Sequence, residues 1–91
     1  MSKAGMLQMS RYLAALYAKK GLRVNSISPG GIYNRSNPQG DDFIKRYSDR
    51  VPMGRMAQVE EMVPAVLFLA GKGASYITGQ NLTIDGGLSC W

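Results

Sequence analysis

The fold is decided by a stretch that starts as a short strand and ends in a glycine turn, Leu22-Arg23-Val24-Asn25-Ser26-Ile27-Ser28-Pro29-Gly30-Gly31-Ile32. Apolar residues at Leu22, Val24 and Ile27 predict a strand over Leu22 to Ile27, and the proline and glycines end it. Ligands of open parallel sheets bind beyond the carboxyl ends of the strands. Glycine lets a flat ring approach the backbone because it has no Cβ. A plain loop has the same composition, so the neighbouring segments must decide between the two interpretations.

A helix and a long connection flank this strand. Residues 2–20 are predicted to form an amphipathic helix that ends at Gly21, because apolar residues recur at steps of three and four. Residues 33–57 form a connection with one short helix that begins at Gly40 or Asp41. Connections of this length inside a compact unit are usually functional lids or disordered segments. We therefore call residues 33–57 the lid region.

The last third of the chain predicts one more helix and one more strand. The segment from Val59 to Ala70 is apolar on nearly all sides, so it is expected to be a helix buried between layers, with a bend near Pro64. The final strand is predicted from Asn81 to Asp85. A strand, a crossover helix and a second strand form a right-handed parallel unit. The first helix should pack against this pair, so the class is α/β.

Composition excludes several kinds of site. The 91 residues contain no histidine, which excludes Ser-His-Asp and Cys-His catalysis and most zinc sites, so no metal site is expected. The single cysteine, Cys90, cannot form an internal disulfide and fits a reducing compartment. The longest apolar run, from Met62 to Ala70, is too short to span a bilayer. We expect a cytoplasmic location, because the N-terminus has no pattern of an export signal.

The net charge of +5 raises the question of a nucleic-acid partner. Lys19, Lys20 and Arg23 cluster at the end of the first helix, where cations complement the helix dipole. The remaining basic residues are scattered among acidic ones and match no nucleic-acid-binding motif. We therefore expect a solvated surface, with neither a nucleic acid nor a membrane as partner. Salt-dependent retention on DNA would favour the rival interpretation, a small nucleic-acid binder.

Three motifs occur in a recognisable order and spacing: Met1-Ser2-Lys3-Ala4-Gly5-Met6, then Arg23-Val24-Asn25 with Pro29-Gly30, then Thr78-Gly79-Gln80-Asn81-Leu82-Thr83-Ile84-Asp85-Gly86-Gly87. Together they resemble the second half of a short-chain dehydrogenase/reductase. The resemblance spans nearly the whole chain. It implies that residues 1–91 are the C-terminal portion of a single Rossmann-like domain with a doubly wound parallel sheet. The lid region would then cover the substrate.

The resemblance assigns a catalytic role to Lys3. In the family, a tyrosine stands four residues before a lysine on the same helix face, and here that tyrosine would lie two residues before Met1. The family's lysine holds the ribose hydroxyls of the nicotinamide nucleotide. Its positive charge also favours the ionised form of the tyrosine, which exchanges a proton with the substrate oxygen.

The resemblance also implies a cofactor site at the glycine turn. Pro29 and Gly30 match the family's Pro-Gly, and the aliphatic residue two positions on, Ile32, would offer its backbone to the nicotinamide carboxamide. The family often has a threonine where this chain has Asn34, and asparagine can both donate and accept hydrogen bonds. The expected cofactor is NAD or NADP, bound by Lys3 together with these four residues.

Other polar residues are assigned weaker roles. Arg55 is expected to be structural and to pair with Glu60 or Glu61. The lid-region side chains Tyr33, Asn37, Gln39 and Tyr47 could touch a polar ligand, although surface exposure is the commoner outcome for each.

The sequence leaves three functions open. The first is an oxidoreductase that interconverts an alcohol and a carbonyl on a small-molecule substrate, with a hydroxylated carbohydrate as the leading substrate and an acyl or steroid carbonyl as the runner-up. The second is an interaction module without catalysis, and the third is the nucleic-acid binder. The 91-residue chain alone is expected to be inactive. It is also expected to form homo-oligomers through the first helix and an open sheet edge.

Overall fold

The computed structural model describes residues 3–91, without the side chain of Lys3. Its elements run α1 (Lys3–Tyr17), β1 (Ser26–Pro29), α2 (Asp41–Arg50), α3 (Val63–Ala70) and β2 (Asn81–Ile84), with 3-10 turns at Ala18–Lys20, Val59–Glu61, Lys72–Ala74 and Leu88–Cys90. This order of helix, strand, lid helix, helix and strand confirms the predicted α/β class. None of the helices described is both long and apolar enough to cross a membrane.

The chain divides into two compact units. The first unit contains Met1–Ile27 and Ala65–Leu82, and the second contains Ser28–Pro64 and Thr83–Trp91. Within the first unit, α1 ends as predicted. A 3-10 turn follows Tyr17, and Gly21 closes it with a φ of 82°, in the left-handed region that glycine adopts at low cost.

The strands β1 and β2 form a two-stranded sheet. Hydrogen bonds at both ends of the pair join residues at the same offset along the chain, which is the register of parallel strands. These bonds run from the Ser26 N–H to the Gln80 carbonyl at 3.0 Å, within the first unit, and from the Gly30 N–H to the Ile84 carbonyl at 2.8 Å, within the second. The prediction that the two strands are parallel neighbours is confirmed.

The predicted bounds of the first strand, Leu22 to Ile27, were wrong, because the strand starts and ends later, at Ser26–Pro29. One side-chain bond and one backbone bond hold the segment before it. The Val24 N–H donates to the Thr78 hydroxyl at 3.0 Å, and the Val24 carbonyl accepts from the Gly79 N–H at 2.7 Å. The apolar spacing that predicted a strand here belongs to an extended segment without a regular ladder.

The side chain of Arg23 closes the end of α3. Its guanidinium donates to the carbonyls of Leu69 at 2.9 Å, Ile77 at 3.2 Å and Gly71 at 3.3 Å. The last carbonyls of a helix have no partner within the helix, so a cation with several donors is well suited to this position. The expectation that the charge of Arg23 complements the end of α1 was therefore wrong, because its side chain bonds carbonyls at and after the end of α3.

Asn25 joins the second and third sequence motifs. Its Nδ2 donates to the Ile77 carbonyl at 2.9 Å, and its Oδ1 accepts from the Gln80 N–H at 3.0 Å. One side-chain amide thus bonds backbone on both sides of the Thr78-Gly79 turn. The motif Arg23-Val24-Asn25 consequently holds the turn before β2 by direct bonds.

The predicted continuous helix from Val59 to Ala70 is divided in two. A 3-10 turn covers Val59–Glu61, and α3 begins after Met62, close to the bend expected near Pro64. A capping box explains the division, because the side chains of Gln58 and Glu61 each bond the other's backbone N–H and so close the first turn separately.

The expectation that this helix is buried was wrong. Leu67 is 66% exposed and Phe68 51%, and on α1 Met6 and Tyr12 are 58% and 66% exposed. A chain of 91 residues has too little surface to cover every apolar helix face. The buried apolar residues among those described are few and mostly small or flexible: Ala14, Val51, Met56, Met62 and Ala74.

Candidate functional site

The five residues predicted to hold a cofactor fall into different units. Pro29, Gly30, Ile32 and Asn34 belong to the second unit, where β1 runs into the loop after it, whereas Lys3 belongs to the first. The side chain of Lys3 lies outside the described residues, so its role stays a prediction. Pro29 ends β1, and the contacts of the other three can be followed atom by atom.

The glycine turn is packed against two side chains from its own unit. The Gly31 N–H donates to the hydroxyl oxygen of Tyr47 at 2.5 Å. A Cβ built on Gly31 would lie 2.5 Å from Cζ of that ring, and one on Gly30 would lie 2.9 Å from Cβ of Asp85. Packing within the chain thus requires both glycines. The flat ring that lies against Gly31 is that of Tyr47. A contact between this turn and a nicotinamide stays a prediction.

Ile32 pairs with the backbone on only one of its two sides. A parallel bridge joins it to Ala57, through bonds from the Ala57 N–H to the Gly31 carbonyl at 2.9 Å and from the Tyr33 N–H to the Ala57 carbonyl at 2.8 Å. In this parallel bridge the bonds to Ala57 are made by Gly31 and Tyr33, the neighbours of Ile32. The N–H and carbonyl of Ile32 itself therefore face away from Ala57, toward the opposite edge. That edge is where a ligand could bond the Ile32 backbone.

Asn34 is used differently from what was expected. Its Oδ1 accepts from the N–H groups of Ser36 and Asn37, both at 3.1 Å, which closes a local turn. The Oδ1 atom of this side chain is therefore bonded within the loop, and the Nδ2 atom is the one that could donate to a ligand. Asn34 could donate to a cofactor through Nδ2, and its contact with a cofactor stays a prediction.

The side chain of Gln39 connects Ile32 and Asn34. Its Nε2 donates to the Ile32 carbonyl at 2.9 Å, and its Oε1 accepts from the Asn34 N–H at 3.2 Å. These residues, together with Tyr33, line an open depression of about 540 Å³, within the size range of small-molecule sites. The sequence indicated Gln39 only as a lid-region side chain that could touch a ligand, and no pattern in it signals these two bonds.

Arg55 is structural, as predicted, and pairs with Glu61. Its guanidinium makes a two-pronged bond to that carboxylate, at 2.7 and 2.9 Å, and the Gln58 N–H donates to the same carboxylate at 2.9 Å. The Arg55 bond first, and the Gln58 bond second, lower the pKa of Glu61 from 4.5 to about 2. The pair lines a small pocket of about 90 Å³, which is well below the usual size of a ligand site.

Replacing Glu61 by glutamine is expected to reduce the acid sensitivity of folding. The pKa of Glu61 is depressed in the folded chain, so its stabilising effect is complete above pH 4.5 and disappears as the pH falls toward 2. Urea unfolding at several pH values in that window should show a smaller loss of stability for Glu61→Gln than for the wild type. Glu60→Gln, which leaves the Arg55 pair intact, should keep the wild-type slope. An unchanged slope in Glu61→Gln would contradict this assignment.

Asp85 organises the double glycine after β2. Its carboxylate accepts from the N–H groups of Gly87 at 3.0 Å and Ser89 at 3.1 Å. The Ser89 side chain first, and these backbone groups with it, lower the pKa of Asp85 against the opposing effect of burial. Gly86 and Gly87 have φ values of 64° and 96°. These bonds and the two left-handed glycines close the turn that follows β2.

Comparisons with known proteins match almost all of the chain. A family model described as enoyl-(acyl carrier protein) reductase matches residues 1–89. A crystal structure of a short-chain dehydrogenase from Leptospira borgpetersenii with bound NAD+ superimposes on 96% of the chain with a TM-score of 0.88 and 46% identity. The chain belongs to the short-chain dehydrogenase/reductase family. The resemblance inferred from the three motifs is thereby confirmed.

Curated members of the family cover the chain fully but are much longer. D-arabinitol 2-dehydrogenase (ribulose-forming) of Candida albicans is 44% identical over 96 aligned residues, which include 100% of this chain and 34% of the enzyme. Galactitol 2-dehydrogenase (L-tagatose-forming) of Cereibacter sphaeroides is 38% identical over 99% of this chain and 37% of its own length. The Leptospira structure is likewise covered over 33%. The chain thus spans about a third of the length of these relatives.

Proposed function

We propose that this chain is the C-terminal, nicotinamide-facing part of an NAD(P)-dependent oxidoreductase that interconverts an alcohol and a carbonyl. The observation that carries the proposal is the backbone edge formed by the Ile32 carbonyl and the Asn34 N–H. This edge already binds a primary carboxamide, that of Gln39, and nicotinamide carries the same group. The NAD+ bound to the Leptospira dehydrogenase supports the choice of cofactor.

The proposed roles of the chain's own residues follow from their chemistry. Lys3 would hold the nicotinamide ribose hydroxyls, and its charge would favour the ionised form of a tyrosine one turn earlier on the same helix. Ile32 would bond the carboxamide through its backbone, Pro29 and Gly30 would line the ring, and Asn34 would donate through Nδ2. NAD(P), when bound, exchanges a hydride with the substrate carbon.

A polyol or sugar is the proposed substrate class. The matched relatives from Candida albicans and Cereibacter sphaeroides are named for the oxidation of sugar alcohols, which supports a hydroxylated carbohydrate. The matched family model is described as an enoyl-(acyl carrier protein) reductase, which keeps an acyl carbonyl as the runner-up. Residues 33–57 would cover this substrate as a lid. The cytoplasm is the proposed location, because a single exposed cysteine, Cys90, fits a reducing compartment.

Fusion to the preceding segment of a relative tests the proposal. The segment of the Leptospira dehydrogenase that precedes its matched region would be joined to residues 1–91. The reduction of NAD+ would then be monitored by absorbance, with D-arabinitol and galactitol as substrates. We expect turnover in the fusion. Lys3→Met should lower kcat/KM by at least about a hundredfold, as loss of a group that supports proton transfer does. Lys19→Met, on the other end of the same helical segment, should leave it unchanged. Equal activity of the two variants would contradict the role of Lys3.

The chain on its own is proposed to self-associate and to bind cofactor only weakly. Met6, Met9, Tyr12 and Leu16 form an exposed apolar face on α1, with exposed fractions of about half or more. The same face favours the second candidate function, an interaction module that binds longer relatives. Light scattering should show a mass above 9.9 kDa, and Met9→Lys with Leu16→Lys should lower it. A monomer at high concentration would contradict self-association, and retention of a longer relative without cofactor activity would favour the module.

A further inference from the structure

Gln39 is held more firmly than its surroundings in the loop. It is half-buried, while Asn34, Ser36, Asn37 and Pro38 are all exposed. Both ends of its side-chain amide are bonded to backbone, the nitrogen to the Ile32 carbonyl and the oxygen to the Asn34 N–H. An amide with both ends satisfied has one defined orientation, because a reversed amide would bring oxygen to oxygen and nitrogen to nitrogen.

The backbone edge that Gln39 occupies is suited to binding a carboxamide. Ile32 offers an acceptor and Asn34 offers a donor, at distances that one planar carboxamide satisfies simultaneously. A carboxylate would satisfy only the Asn34 N–H and would place a negative charge against the Ile32 carbonyl. The edge therefore discriminates between an amide and an acid of the same shape.

We infer that Gln39 is a built-in competitor for the nicotinamide carboxamide. The inference rests on the proposed function, which places that carboxamide on the Ile32 backbone. Binding of the nicotinamide end then requires Gln39 to leave, so the side chain raises the apparent dissociation constant for nicotinamide and couples its arrival to a change in the lid region. Gln39 takes no part in the chemistry, because its side chain leaves the edge before the nicotinamide binds there.

The loop does not depend on Gln39 for its turn. Asn34 closes that turn through its own bonds to Ser36 and Asn37. Gln39→Ala should therefore keep the turn and expose the Ile32–Asn34 edge. Gln39→Glu is the complementary change, because a carboxylate can accept from the Asn34 N–H but cannot donate to the Ile32 carbonyl.

The test is a titration of the 15N-labelled 91-residue chain with free nicotinamide, followed by the backbone amide signals of residues 32–34 and the side-chain amide signal of Gln39. We expect nicotinamide to shift these signals in the wild type and to bind about tenfold more tightly to Gln39→Ala, because two hydrogen bonds of ordinary net strength no longer have to be broken. Gln39→Glu should also bind more tightly than the wild type. Gln8→Ala, which removes the same side chain from an exposed position on α1, should behave as the wild type. Nicotinic acid should bind detectably more weakly to every variant.

Two outcomes would overturn the inference, and they differ in what else they affect. If nicotinamide shifts residues 32–34 but binds Gln39→Ala no more tightly than the wild type, Gln39 is not a competitor and the proposed function is untouched. If nicotinamide shifts these signals in none of the variants, the carboxamide subsite itself is wrong, and the inference falls together with the placement of the cofactor.

Discussion

Gly31→Ala is expected to destabilise the second unit by about 2–4 kcal/mol, the sum of overpacking against a rigid ring and loss of one hydrogen bond. The added Cβ would lie 2.5, 2.7 and 2.9 Å from Cζ, Cε1 and Oη of Tyr47. Neither the turn nor the ring can move without breaking the bond from the Gly31 N–H to the Tyr47 hydroxyl. Urea unfolding followed by circular dichroism measures the loss.

Two variants separate the Tyr47 contact from a general effect of removing glycine. Gly40→Ala is the matched control, because nothing lies within 4 Å of a Cβ there and its φ of −62° suits any residue, although alanine is a slightly poorer helix cap. In a Tyr47→Ala background the ring is gone, so Gly31→Ala should add little further loss. Equal losses in the two glycine variants, or full additivity with Tyr47→Ala, would contradict the packing explanation.

Arg23→Met is expected to destabilise the first unit by about 2–4 kcal/mol. One charged side chain satisfies the carbonyls of Leu69, Gly71 and Ile77, and hydrogen bonds to charged groups contribute about 1.5–3 kcal/mol each before non-additivity. Methionine keeps the apolar stem and loses all three donors. Arg23→Lys should recover part of the loss, since one ammonium cannot match the planar fork of donors.

Hydrogen exchange locates the effect of this substitution. Arg23→Met should speed exchange of the amides at the end of α3 and in residues 71–79, which belong to the same unit. Arg11→Met, at an exposed position on α1, is the control and should change stability by less than about 0.5 kcal/mol. If both arginine variants unfold at the same urea concentration, Arg23 does not hold these segments together.

The order and type of the elements could be predicted from the sequence because they depend on local patterns. Apolar residues at helical steps indicated α1, and Gly21 marked its end, as the left-handed φ there confirms. The parallel pairing followed from a strand, a crossover and a second strand. Arg55 could be assigned a structural role because two acidic residues stand close by in the sequence.

The site was harder to predict because its contacts join residues with no pattern between them. Tyr47 lies sixteen residues after Gly31, and nothing in the spacing shows that its hydroxyl bonds that turn. Arg23 was assigned to the nearest helix end in sequence, whereas its partners lie more than forty residues away. The first strand was placed too early for the same reason, because side chains of Thr78 and Asn25 replace the ladder before Ser26.

The shallow burial of the apolar helices reflects the size of the chain. The apolar pattern of α3 predicted a buried helix, but Leu67 and Phe68 are exposed, because a chain of 91 residues has too little surface to cover it. A helix with this pattern is suited to packing against another apolar surface.

We propose that the Ile32 backbone receives the nicotinamide carboxamide. The most direct measurement is an isotope-edited nuclear Overhauser experiment on the fused protein, with residues 1–91 labelled and NADH bound. We expect contacts from the carboxamide protons of the nicotinamide to the backbone of Ile32 and Asn34, with loss of the contact between the Gln39 amide and Ile32. Tight binding of NADH with its carboxamide close to other residues, and with the Gln39 contact intact, would contradict it.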